Sequence, residues 1–324
     1  MYEFRNFDRL MCDYFGAPIP RPIRIGRFSS SLEQHVYDSD PGHGFLRAMA
    51  RAARLDDNRI RRITLELVQE GLFQWIFKVT ARTREAKRVM CMVVAKDGHK
   101  FSRTASREYE LLKELHRRNP QKVVSALGSS EVIVSTGKRE SRLFVYWTGW
   151  LYGYWELGLT EQHRFALIGS HDVRLLGPKQ ADRVRCDMLE LLASLFDPKT
   201  GSALVDVQVN SGDFMVSTET DRPLVRLIAA RNLKSGLSGA GLLRNLLSAQ
   251  GEQGNKPVFL YPGKVSTVVG SLAAGLTHAF SGEKAGRDFL IEALQKLVKK
   301  DADGPSESFG WSDLLDSAQS KPKK

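Results

Sequence analysis

Two groups of residues in this sequence have types and spacings that can handle phosphate. The first is Lys96 with Glu108. Lys96 ends the apolar run "VVAK", so its stem is expected among apolar neighbours. Glu108 lies in "TASREYELLKELHRRN", where helical periodicity puts it on one face with Leu111, Leu112 and Leu115, and sends Glu110, Lys113, Glu114 and Arg117 mostly elsewhere. A carboxylate on the inward side of an amphipathic helix is costly unless it meets a cation, and Lys96 is the natural candidate. An ammonium held in this way can bind the α/β-phosphates of ATP. The competing reading is a boundary glutamate that reaches water past Leu112. The second group is in "ALVDVQVNSGDFMVS", residues 203–217, where an extended apolar segment enters a polar turn and the short extended "FMV" leaves it. Asp206 and Gln208 are two positions apart along an extended segment, so they point to the same side. Asp206 can act as an acid/base or share a metal with Asp213; alternatively it is a turn carboxylate capping backbone N–H groups.

The elements that must position these groups are legible as patterns. "RRITLELVQEG" and "FQWIFKVTART" suggest a hairpin turning near Gly71, and "KRVMCMVVAKDG" is a further β-rich run ending at Asp97-Gly98. The helix containing Glu108 follows, with Thr104 or Ser106 as its expected N-cap and Pro120 past its end. "SEVIVST" and "SRLFVYWTGW" complete an order of three strands, a helix and two strands. Further on, "KQADRVRCDMLELLASLF" spaces Val184, Met188, Leu191, Leu192 and Leu195 as a helix. "FMVSTETDRPLVRLIA" reads as a hairpin, and three more apolar-periodic helices come after it. Residues 1–60 read as an extension, Pro-rich and extended at first, then a basic amphipathic helix from Phe45 with Arg47, Arg51 and Arg54 on its polar side. Residues 301–324 read as a disordered tail with an amphipathic island at Trp311, Leu314 and Leu315.

Bulk properties narrow the class. The 324 residues are 42% hydrophobic and 26% charged, as in an ordinary globular protein, with room for two lobes. Three widely separated cysteines (Cys12, Cys91, Cys186) argue against a disulfide framework, and no Cys or His spacing suggests zinc. No apolar run approaches the roughly 20 residues of a membrane helix, so no transmembrane segment is expected. The N-terminus lacks a signal peptide's apolar core, and a cytoplasmic location is the expectation. The net charge of +11, concentrated between Arg61 and Lys122, favours anionic partners: nucleotides, phosphorylated glycans, nucleic acid or an anionic surface. The alternative is a solvated surface that serves solubility. The aromatics of "FVYWTGWLYGYWELG" (Trp147, Trp150, Tyr152, Tyr154 and Trp155) can stack bases, form a protein-binding surface, or pack at a junction.

"VVAK", "REYELLKEL", the five strands with one helix, and "VDVQVNSGDFMV" before a hairpin together resemble the protein-kinase-like superfamily. The flavour is that of aminoglycoside/choline-type phosphotransferases and lipopolysaccharide-core kinases. The resemblance covers roughly residues 61–300 and implies an α+β, two-lobed fold. Its N-lobe, residues 61–155, would be an antiparallel sheet with one helix. Its C-lobe, residues 156–300, would be mainly helical, with a nucleotide cleft between the lobes and a connector near "YWTGWLYGYWELG". The resemblance gives Lys96 and Glu108 the places of the strand lysine and helix glutamate. It puts Asp213 on the metal-binding asparagine, Gln208 on the catalytic aspartate and Asp206 on the histidine of the catalytic loop. Aspartate serves Mg²⁺ as well as asparagine does, but glutamine cannot accept a proton. The family's Asp-Phe-Gly falls on Ala229-Ala230-Arg231, which removes the principal Mg²⁺ carboxylate. The glycine-rich loop keeps only Gly71, with bulky Phe73 and Trp75 where backbone should approach phosphate.

Together these departures imply a pseudokinase: a regulatory or scaffolding module with a protein partner, in which ATP binding is weak and Mg²⁺ binding weakened. Two alternatives stand beside it. One is an active atypical phosphotransferase acting on a phosphorylated sugar, lipopolysaccharide-type or other small acceptor, with Asp213 holding the metal and Asp206 replacing the base. The other is a nucleic-acid or anionic-surface binder.

Overall fold

The computed structural model describes residues 2–5, 54, 62–70, 74–96, 99–136, 139–160, 164–169, 173–205, 207, 212–219, 223–247, 264–302 and 310–320. The fold is mixed α+β, with sheets that are antiparallel apart from one edge pairing. The chain divides into two compact units. One comprises Met1–Glu114 and Val124–Tyr152, the other Leu115–Val123 and Gly153–Lys324.

The first unit is built on a six-stranded sheet of β1 (Tyr2–Arg5), β2 (Arg62–Glu70), β3 (Gln74–Arg82), β4 (Lys87–Ala95), β5 (Ala126–Thr136) and β6 (Arg139–Gly149), in the order β1-β2-β3-β4-β6-β5. Strict alternation makes it. On β3, Trp75, Phe77, Val79 and Ala81 are buried while the residues between them are partly exposed. Register carries the same face across the sheet: Trp75 lies opposite Val94, Phe77 opposite Met92, and Met92 opposite Trp147 on β6. The β3–β4 connection is closed by Thr83, whose hydroxyl accepts from the Ala86 N–H at 2.9 Å. Helix α1 (His99–Arg118) stands between β4 and β5 in the chain. It begins five residues before Thr104, so neither Thr104 nor Ser106 is an N-cap. Thr104 instead bonds back to the Lys100 carbonyl at 2.9 Å, one helical turn earlier. Residues 1–60 are not wholly an extension, because Tyr2–Arg5 joins β2 as a parallel edge strand. The amphipathic helix expected after Phe45 lies, Arg54 apart, outside the described residues.

The second unit holds β7 (Tyr154–Leu159), β8 (Phe165–Ile168), β9 (Val173–Leu175), β10 (Ala203–Val205), β11 (Phe214–Ser217), β12 (Leu224–Leu227) and β13 (Asn232–Lys234). With them are helices α2 (Pro178–Ser194), α3 (Gly239–Leu247), α4 (Val265–Ala279), α5 (Glu283–Ala302) and α6 (Trp311–Gln319). A mainly helical unit is too simple a description. The aromatic stretch expected to hold the connector ends β6, crosses the division between the two units at Tyr152 and Gly153, and continues as β7, which pairs with β11 and β8 in a sheet of order β12-β11-β7-β8-β9. A separate pair joins β10 to β13. The segment after α1 is fastened to α2. Asn119 donates to the Ser194 hydroxyl at 2.8 Å, Lys122 pairs with Glu190, and Arg118 reaches Asp197 at 3.4 Å. Nor is the stretch from 301 onward wholly a disordered tail. Trp311, Leu314 and Ala318 of α6 are buried against α4 and α5, and Arg287 donates to the Ala318 and Ser320 carbonyls that the helix end leaves open. Spaced apolar residues every three to four positions can dock a short helix that would not stand alone.

Among the described residues no helix is long and apolar enough to cross a membrane.

Two expectations test this packing. Helices α2 and α4 approach so closely that a Cβ on Gly275 would meet the Glu190 carbonyl and lie 2.7 Å from the Ala193 Cβ. Alanine gains about 1 kcal/mol in helix propensity over glycine, but overpacking of this kind costs about 1–3 kcal/mol. Gly275→Ala should therefore lower the urea midpoint or leave it level, and a midpoint raised by the full helix-propensity gain would refute the close approach. The second concerns Asp197. Partial desolvation pushes its carboxyl up, but the Lys199 N–H, the Thr200 hydroxyl, Arg118 and the Thr200 N–H outweigh it and hold it below the usual carboxylate range. The folded state thus binds fewer protons here than the unfolded chain. The stabilisation is complete above roughly pH 4 and is lost as pH falls through the folded value. Asp197→Asn should cost about 1 kcal/mol at pH 7 in urea unfolding, and the difference from the parent should shrink toward pH 2.

Candidate functional site

The second unit brings Asp213 and Arg231 together through two strand pairs. Asp213 immediately precedes β11, whose first residue Phe214 faces Leu227 on β12. One further backbone bond, from Ile228 N–H to the Asp213 carbonyl at 2.9 Å, carries the ladder past the strand ends. Beyond it Ala229 and Ala230 are buried, and Arg231 then leads into β13. Gly212 makes the entry possible. Its φ of +69° is left-handed, and a Cβ there would sit 2.9 Å from a Glu156 carboxylate oxygen. The result is a short charged contact, with Arg231 Nη1 donating to Asp213 Oδ1 at 2.5 Å. The carboxylate side chain is 5% exposed and the arginine side chain 30%. A carboxylate this deep is costly without a cation, and a guanidinium in direct contact answers most of that cost.

This is the part of the site that sequence reasoning approached and did not reach. Asp213 was expected as a metal ligand, and Ala229-Ala230-Arg231 as the place of a lost carboxylate. The arginine among those three was not read as the partner of Asp213. The available signal was chemical: one inward-facing acid and one cation, at the mouths of two strands that a hairpin brings side by side.

Lys96 directly follows β4, and its ammonium lies 5.3 Å from the centroid of the Trp75 ring. Trp75 is itself buried, so this cation–π contact fixes the lysine stem along an apolar surface. Glu108 is 2% exposed, on the face of α1 that also buries Ala105, Leu112 and Leu115. Glu110 and Lys113 lie in solvent and pair with each other at 3.6 Å. Tyr109 meets Tyr146 and Phe144 on β6, with centroids 5.9 and 6.4 Å away. Gly71, Asp206 and Gln208 lie outside the described residues.

The aromatic stretch separates by role. Trp147 is fully buried and belongs to the core of the first sheet, so it offers no face for stacking bases. Lys78 stands over Trp150 at 5.1 Å, and Arg226 donates to the Tyr154 hydroxyl at 3.3 Å. Tyr152 is 65% exposed.

The Mg²⁺ ion that the kinase resemblance implies does not fit the described residues. A magnesium ion asks for near-octahedral oxygen ligation. Here Asp213 is engaged by a guanidinium, Ala229 and Ala230 carry no side-chain oxygen, and no group of three acidic, histidine or cysteine side chains converges among the described residues.

No protein-family model matches the chain, and no curated protein matches it.

The placement of Lys96 and Glu108 yields a direct check. Lys96→Met and Glu108→Gln, alone and combined, form a double-mutant cycle in urea unfolding. A coupling of about 1 kcal/mol or more is expected if the buried carboxylate answers this ammonium. Additive effects would show that the Glu108 carboxylate is not answered by the Lys96 ammonium.

Proposed function

We propose that this protein is a kinase-like module that has given up Mg²⁺-dependent phosphoryl transfer, binds nucleotide weakly if at all, and works by engaging a protein partner. The observation that carries the reading is the combination of order and pairing. In the first unit three antiparallel strands, one helix and two more strands close into the order β2-β3-β4-β6-β5. In the second, β10 pairs with β13 and β11 with β12, so the segment entering β11 and the segment leaving β12 lie side by side. Those two segments are where the resemblance puts the metal ligands. They hold an acid that is neutralised by an arginine, preceded by two alanines. Among the described residues these segments bring no group of three acidic, histidine or cysteine side chains together to clamp a metal between phosphates.

Lys96 supports the same reading. Its ammonium is held against Trp75, at the strand end the resemblance assigns to the phosphate-binding lysine. The net charge of +11 suits a phosphorylated ligand or an acidic partner surface.

The test is a thermal-shift titration with ATP in EDTA and in Mg²⁺, beside a phosphoryl-transfer assay with sugar and lipopolysaccharide-core acceptors. The expected result is a small shift or none, equal in size in the two media, and no transfer above the no-protein rate. Mg²⁺-dependent transfer abolished by Asp213→Ala would establish the active phosphotransferase instead. Tight, salt-sensitive binding of single-stranded nucleic acid with no ATP response would establish the third reading.

A further inference from the structure

We infer that Arg231 is the resident cation of the Asp213 loop, occupying the place a divalent metal would take, so that the loop is held in its folded form without metal. The inference rests on the kinase-like reading for the identity of that place, and on the ion pair for its occupant.

Three observations converge. The Asp213 carboxylate is almost wholly out of water, and Arg231 Nη1 lies 2.5 Å from its Oδ1. A direct contact to a carboxylate side chain that is 5% exposed is a built one rather than a surface pair between mobile ends. Second, the backbone on both sides is fixed. Ile228 N–H bonds to the Asp213 carbonyl, β12 ends one residue before Ile228, and β13 begins one residue after Arg231. The guanidinium is therefore delivered by the four-residue link from Ile228 to Arg231, whose two alanines are buried and small. Third, Gly212 adopts a left-handed φ and lies under the Glu156 carboxylate, so the approach to Asp213 is conformationally determined from the other side as well. A second carboxylate near this turn increases the need for a cation there.

An arginine and a magnesium ion answer a buried carboxylate in different ways. The ion is exchangeable and brings open coordination positions for phosphate oxygens. The guanidinium is tethered, carries one charge and offers only donors. A loop built on it keeps its shape in chelator and does not depend on nucleotide or metal concentration.

The experiment removes the tether and offers the ion. Thermal melts of the parent, Arg231→Gln and the double variant Arg231→Gln with Asp213→Asn are compared in EDTA and in about 10 mM MnCl₂ at matched ionic strength. Arg231→Gln is expected to melt lower than the parent in EDTA. Mn²⁺ should raise its midpoint by about 3 °C while leaving the parent and the double variant unmoved. If Arg231→Gln does not fold in EDTA, refolding from urea provides the readout. Recovery of folded protein in Mn²⁺ but not in EDTA supports the inference, and equal failure in both overturns it. It is also overturned if Mn²⁺ leaves Arg231→Gln unmoved, since Asp213 then offers no cation place. Mn²⁺ stabilisation of the parent that the double variant lacks overturns it as well, since the metal and Arg231 would then share the loop. None of these outcomes uses nucleotide or transfer, so the kinase-like reading stands or falls separately.

Discussion

A carboxylate removed from water must be met by positive charge, and the way this is done at Asp213 organises the middle of the second unit. The acid enters β11, its partner Arg231 leaves the neighbouring strand, and the ladder between them is extended by one backbone bond. Removing Arg231 alone would take this cation from a carboxylate side chain that is 5% exposed, whereas the arginine side chain, 30% exposed, keeps access to water.

The first unit solves a different problem with less charge. Its sheet buries Trp75, Phe77, Met92 and Trp147 on one face, so the end of β4 is surrounded by apolar surface. Lys96 emerges there and lies against an indole ring. The ring face restrains the ammonium through a cation–π contact. Glu108, buried on α1 among Leu112 and Leu115, is the second charge this unit takes out of water.

Much of this was legible in the sequence wherever one periodicity dominated. The alternation of "FQWIFKVTAR" and the spacing of Glu108 with Leu112 and Leu115 specify β3 and the inward face of α1 without reference to the rest of the chain. Elements that depend on distant partners were not legible. Tyr2–Arg5 is a strand only because β2 offers it an edge, and β7 is a strand because β11 and β8 flank it. A run such as "YGYWELG" has no signal of its own that marks where a connector stops and a strand begins. The start of α1 was misplaced because Thr104 has the chemistry of a cap but bonds backward inside the helix. At the candidate site, the position of Asp213 could be read from its chain neighbours. Its pairing with Arg231 required knowing which strands lie side by side.

Helix α6 has a consequence of a different kind. Its apolar side completes the surface of α4 and α5, and its carbonyl end is gripped by Arg287 from α5. A stretch that composition alone would assign to a tether is thus a keystone, so any shortened version of the polypeptide meant for crystallisation or fusion has to retain it through Ser320. Severed from that keystone, the leucine-lined bed beneath Trp311 and Leu314 would become a sticky surface.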